Sequence, residues 1–241
     1  MALILNIESS TEVCSVSLAL DGKEINLREN TDGQNHAMLL TVFINELFEE
    51  SKVTADKLDA VAVSGGPGSY TGLRIGVSVA KGICYGSKLP LIAVTSLEAM
   101  ADYVIRNLEK IHAVNNDQIL FCPMIDARRM EVFTAFYNKN CKLIRGIQAD
   151  IIDHQSYFEY LENNIVLFFG NGSSKCRETI NHPNALFIPD IITSSRYMIP
   201  LSEREFKSLL FSDVAYYEPF YLKDFVATVP LKNIIKSGSI G

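Results

Sequence analysis

The hydrophobic positions of this chain change between period two and helical spacing, and the changeovers mark its elements. Residues 2–8 form an apolar run ending on Asn6 and Glu8, the pattern of a buried strand. Within Cys14–Leu20, Val16, Leu18 and Leu20 alternate as a second strand. Asp21-Gly22 is a hairpin turn signal and leads to a third strand over Glu24–Glu29. His36 to Ser51 has helical spacing, yet its apolar residues cover more than one face. A strand over 58–64, a glycine loop and a helix over 72–86 follow. A short strand over 89–94 then leads to a helix from 97 to about 108, capped by Ser96, with Glu98 suiting its positive end.

After the polar, unpatterned segment 109–118 the order repeats. Strands are predicted over 119–125, 130–137 and 143–149, a helix over 153–162, and a strand over 165–169 that runs into Gly170-Asn171-Gly172. A helix over 173–180, a short strand over 186–188, a mostly helical stretch over 198–214 and an extended stretch over 218–222 complete it. Each half reads βββαβαβ, which implies an internal duplication. The expected division is an N-terminal lobe, 1–111, and a C-terminal lobe, 112–241, with the last helix packing back between them. A ligand would sit in the cleft between such lobes.

At 241 residues, 48% hydrophobic and 21% charged, the chain reads as an ordinary globular protein. Its net charge of −6 argues against autonomous nucleic-acid binding, which rests on basic surface. The cysteines, Cys14, Cys84, Cys122, Cys141 and Cys176, are odd in number and form no Cys-x-x-Cys pair, so free thiols in a reducing compartment are expected. The N-terminus lacks a positive n-region, and no apolar run reaches the ~18 residues of a membrane span. A cytoplasmic protein without membrane contact is expected.

The candidate chemistry centres on Gly65-Gly66-Pro67-Gly68-Ser69-Tyr70-Thr71-Gly72-Leu73-Arg74-Ile75-Gly76. A strand, a glycine loop and a helix N-terminus in that order suit an anion. The two common phosphate motifs are nevertheless absent: no Lys follows a glycine at P-loop spacing, and Thr71 stands where a Gly-x-Gly-x-x-Gly fingerprint needs its third glycine. The Glu8-Ser9-Ser10-Thr11-Glu12 turn could hold a phosphate or a metal–phosphate pair, or could be rich in hydroxyls simply because turns favour them. Gly72, Gly76 and Ala80 recur every four residues and would let another helix approach closely. His36, His112, His154 and His182 have no metal-ligand spacing, and no nucleophile triad is arguable.

Ile7-Glu8-Ser9-Ser10-Thr11, the glycine stretch, Thr95-Ser96-Leu97-Glu98-Ala99, Asp126-Ala127-Arg128-Arg129-Met130-Glu131-Val132 and Tyr221-Leu222-Lys223 occur in one order. Together they resemble the bacterial TsaB (YeaZ) family of tRNA threonylcarbamoyladenosine biosynthesis proteins. The resemblance implies an α/β fold of two ribonuclease-H-like lobes, as in actin, sugar kinases and Hsp70. It also implies a part in forming N6-threonylcarbamoyladenosine at position 37 of tRNAs that read A-starting codons. The implied partners are a TsaD-like transferase subunit and a TsaE-like ATPase, with tRNA met only through the complex and a homodimer when the chain is isolated.

TsaD-like paralogues carry His-x-x-x-His after the matching strand. Here those positions hold Ser96 and Met100, poor ligands for a hard or borderline cation. The expectation is therefore a non-catalytic subunit with no metal and no cofactor, weak ATP or ADP binding being left open. The implied partner interface is Leu39, Leu40 and Phe43 on one helix with Gly72, Leu73, Gly76, Val77 and Ala80 on the other. Gly76→Arg or Val77→Glu is expected to spare the fold and abolish the complex. Ser9, Ser10, Thr11, Gly170, Asn171 and Gly172 are the candidate nucleotide or phosphate residues. The alternative is an ATP/Mg-dependent phosphotransferase or carbamoyltransferase, with Asp126 at a strand end of the second lobe. Arg128 and Arg129 would touch tRNA phosphate or a partner carboxylate, or remain solvated.

Overall fold

The computed structural model describes residues 1–33, 36–111 and 118–222. Strands β1 (Leu3–Glu8), β2 (Cys14–Leu20), β3 (Lys23–Asn30), β4 (Ala60–Ser64) and β5 (Leu91–Val94) form one sheet in the order β3-β2-β1-β4-β5. Strands β6 (Ile119–Asp126), β7 (Glu131–Asn138), β8 (Leu143–Ile151), β9 (Ile165–Phe169) and β10 (Ala185–Phe187) form the other, β10-β9-β6-β7-β8. In both, the first three strands are antiparallel neighbours and the last two run parallel to the first. The ribonuclease-H-like topology is thus present twice, in agreement with the duplicated βββαβαβ pattern.

The cores follow from side-chain alternation. Leu5, Ile7, Val61 and Val63 point to one face of the first sheet, where α1 (His36–Ser51) and α2 (Tyr70–Ser87) cover them with Leu40, Leu47, Val77 and Ala80. Ile4, Ala60, Ala62 and Ile92 point to the other face and meet Met198 and Leu201 of α6 (Ser195–Lys207). In turn α3 (Ser96–Arg106), which precedes the second lobe in sequence, lays Leu97, Met100 and Val104 against Phe121, Phe133 and Leu167 of the second sheet. The layers alternate helix, sheet, helix, sheet, helix. Tyr103 of α3 stacks on Tyr197 of α6 at 3.8 Å between centroids. The far face of the second sheet is closed by Tyr157, Leu161, Cys176 and Ile180.

Several expected elements shrink. Residues 153–156 form a turn in which the Asp153 carboxylate accepts from Gln155 N–H at 2.9 Å and from the Ser156 hydroxyl at 2.9 Å. That side-chain capture competes with helix, so only α5 (Phe158–Leu161) remains of 153–162. The helix expected over 173–180 is a single 3₁₀ turn, Ser174–Cys176. The cap of α3 is Thr95, and Ser96 lies buried inside its first turn. A short helix, α4 (Leu108–Ile111), ends the first half. Residues 112–117, Lys223 and the last residues lie outside the described part, as do His112 and the segment bearing the expected lobe boundary.

The segment 212–222 returns to the first lobe. Ser212 N–H donates to the Leu91 carbonyl at 2.8 Å, and Phe220 N–H to the Gly65 carbonyl at 2.8 Å. Between them the Lys81 ammonium donates to the carbonyls of Ala215 and Tyr217 at 2.9 and 3.1 Å.

Candidate functional site

The glycine loop leaves β4 and feeds α2, with Ser69 as N-cap accepting from Gly72 N–H at 3.3 Å. Its backbone is bonded within the chain. Gly65 N–H donates to Val94 O at 2.7 Å and Ser69 N–H to Ser10 O at 2.6 Å, while the Gly66 carbonyl accepts from Ser96 N–H at 3.1 Å. The loop therefore clasps the β1–β2 turn.

That turn is engaged in the same way. Ser9 is buried: its N–H donates to the Ser64 hydroxyl at 3.2 Å and its own hydroxyl to Gly72 O at 2.9 Å. Ser10 N–H donates to the Glu8 carboxylate at 2.6 Å. The Thr11 hydroxyl pairs with that of Thr193 at 2.7 Å. Glu8 is fully buried, and loss of water around it raises its pKa against the hydrogen bonds from Ser10, Ser64 and Ser9 that lower it.

Across the cleft, Gly170 holds φ +101° against Met124, and Gly172 N–H donates to the Met124 carbonyl at 3.0 Å. Asn171 accepts from Asp126 N–H at 3.1 Å, and its amide donates to both Glu12 oxygens at 3.1 and 3.2 Å. The structure thus brings the two candidate turns together, but ties them by direct hydrogen bonds. Asp126 is matched by the Lys175 ammonium at 2.6 Å, which also reaches the carbonyls of Arg129 and Glu131 at 2.6 and 2.7 Å. An ammonium with three oxygens around it occupies the position a cation at Asp126 would take. Arg128 and Arg129, at φ +70° and +49°, form the exposed tip between β6 and β7. Sequence reasoning placed Glu12 in the candidate turn but missed Lys175 and Thr193, which carry no local motif.

On α1 and α2 the expected interface needs correction. Leu40, Gly72, Leu73, Gly76, Val77 and Ala80 are buried in the chain's own core, so they present no surface. A Cβ at Gly72 would strike the Ser9 carbonyl, and one at Gly76 the Ser9 hydroxyl. Those glycines admit the β1–β2 turn, not a second helix, and Gly76→Arg or Val77→Glu would disturb the fold itself. Leu39 and Phe43 are half-buried and remain partly available. The uncovered residues are their neighbours: Met38 is 69% exposed, Val42 48% and Tyr85 85%. Ile75, Val79 and Ile83 lie half-covered beside them on α2, and Gly82 and Gly86 have nothing within 4 Å of a built Cβ. A helical face of this kind, apolar and with two open glycines, can take another helix at short range.

On α3, Ser96 and Met100 are buried, and their oxygen and thioether make a poor divalent-cation pair. Among the described residues no group of three or more His, Cys, Asp and Glu could hold a metal ion, and no helix is long and apolar enough to cross a membrane.

Residues 30–228 match the family described as TsaD: tRNA N6-adenosine threonylcarbamoyltransferase. The tRNA threonylcarbamoyladenosine biosynthesis protein TsaB of Haemophilus influenzae is 26% identical over 230 residues, covering 92% of this chain and 93% of its own. That of Escherichia coli is 33% identical over 137 residues, covering 57% and 55%. YeaZ from Pseudomonas aeruginosa shares the fold with a TM-score of 0.77 at 22% identity, covering 92% of this chain and 100% of its own.

Proposed function

The chain belongs to the TsaD family of tRNA N6-adenosine threonylcarbamoyltransferase proteins, and from that premise we propose that it is a non-catalytic subunit in tRNA threonylcarbamoyladenosine formation. Its near-full-length likeness to a protein named TsaB supports the pathway. The observation that carries the subunit role is the uncovered apolar face of α1 and α2, lined by Met38, Val42, Val79, Tyr85 and the open Gly82 and Gly86. This face binds the TsaD-like transferase of the same cell. When the chain is isolated, the same face pairs with a second copy. A TsaE-like ATPase joins the pair in the cytoplasm, and tRNA is met only through the assembly.

The chain carries no metal or nucleotide of its own in this reading. The Ser9 and Thr11 hydroxyls and the Ser10 N–H are bonded within the fold, and Glu12 is joined to Asn171 between the two turns. The ATP-dependent enzyme has no supporting feature at Asp126, whose carboxylate faces the Lys175 ammonium.

The test is co-purification of wild-type chain, Gly82→Arg and Val79→Glu with the transferase subunit. Both variants are expected to keep the wild-type circular dichroism and to lose the complex, with a thermal midpoint for Gly82→Arg at or above that of wild type. Retention of the complex by both would overturn this face as the interface. Calorimetry with ATP and Mg²⁺ on the isolated wild-type chain is expected to give no heat at millimolar nucleotide.

A further inference from the structure

Away from the cleft and from α1 and α2, the second lobe holds a cavity of about 490 Å³, within the ~300–1,000 Å³ range of small-ligand sites. It lies between the turn after Cys176 and β10, the outermost strand of that sheet. Its apolar lining is Ile180, Leu186, Phe187 and Ile188, and its polar lining is Arg177, Asn181 and His182.

The polar residues are donors. Arg177 has its guanidinium carbon 5.8 Å from the Phe187 ring centre and forms no ion pair or side-chain hydrogen bond among the described residues. Stacked in this way, a guanidinium offers the edge of its fork, which fits a carboxylate with two parallel bonds. His182 accepts the Asn184 N–H on Nδ1 at 3.2 Å, so the neutral ring carries its proton on Nε2 and donates from there. Phe158 fixes that ring edge-to-face at 5.6 Å. Asn181 adds an amide. One fixed positive charge, two neutral donors and apolar walls define the preference of the cavity.

We propose that this cavity binds a small monocarboxylate with an apolar body. A dianionic phosphate would have a single fixed cation to meet it and would leave the apolar half of the lining unused, so part of its charge would lack a partner. A neutral apolar molecule would leave the guanidinium unmatched. A carboxylate on an apolar stem uses both parts of the lining.

The probe is sodium hexanoate, titrated into the isotope-labelled full chain and followed by amide and side-chain NMR. Saturable shifts are expected at Arg177, His182 and Phe187 by about 20 mM, the weak limit for a ligand of this size. Hexanol, with the same stem and no charge, is expected to bind at least tenfold more weakly. R177Q, at an exposed position, should keep its remaining spectrum and lose about tenfold in affinity. No saturable shift at these residues, or equal shifts with hexanol, would overturn the proposal. So would shifts confined to other regions, or a wild-type affinity in R177Q.

Discussion

The Ser9 hydroxyl donates to the Gly72 carbonyl at 2.9 Å and lies where a Cβ on Gly76 would fall. The β1–β2 turn and the helix after the glycine loop thus interlock through one side chain. Gly76→Ala overpacks that contact at about 1–3 kcal/mol, more than the ~1 kcal/mol Ala gains over Gly in helix propensity. Gly82 faces open space, so Gly82→Ala should gain that propensity. Urea midpoints are expected to fall for the first and rise for the second. Adding Ser9→Ala to Gly76→Ala should restore part of the loss.

Lys81 fixes the returning segment through two carbonyls. Hydrogen bonds from a charged donor contribute about 1.5–3 kcal/mol, less where solvent reaches them. Lys81→Met is therefore expected to speed hydrogen exchange at Tyr217 and Phe220 while leaving β6 and β9 unchanged. Equal protection in the variant would show that Val214 and Tyr217 packing alone holds the segment.

Glu8 gives the pH dependence a sign. Burial raises its pKa in the folded state above the ordinary 4.5. Its contribution is thus fully present below pH 4.5 and is lost as pH rises through the higher folded value. Glu8→Gln keeps an oxygen for Ser10 N–H and removes the charge. It should be more stable than wild type at neutral pH and show a flatter midpoint-against-pH curve above 4.5. A parallel curve would place Glu8 outside that balance.

The thiols are shielded by the same physics. Burial pushes Cys14, Cys84 and Cys176 up to about 11 and Cys141 to about 12, with Cys122 higher still. Thiolate is the reactive form. A disulfide reagent at pH 8 is expected to modify the native chain far more slowly than free cysteine, and all five cysteines once guanidinium unfolds it.

Strands were legible because period two and β-branched residues coincide: Val61 and Val63 face α1 and α2, and Ala60 and Ala62 face α6. The duplication was legible from their order. Helix spacing gave the faces of α2 but not which face looks outward, since Gly76 and Gly82 are alike in sequence and differ only in having Ser9 opposite one of them. The closure of the cleft had no local signal: Glu12 meets Asn171 across 159 positions of chain. Helices over 153–162 and 173–180 were overdrawn where side chains such as Asp153 capture the backbone first.

The two halves have traded helices. Leu97, Met100 and Val104, encoded with the first sheet, roof the second, while Met198 and Leu201, encoded with the second, roof the first. A gene cut between them would yield two products that each expose an oily sheet to water. Each half thus depends on the other for part of its roof, and fragments cut between them are expected to dissolve only when made together.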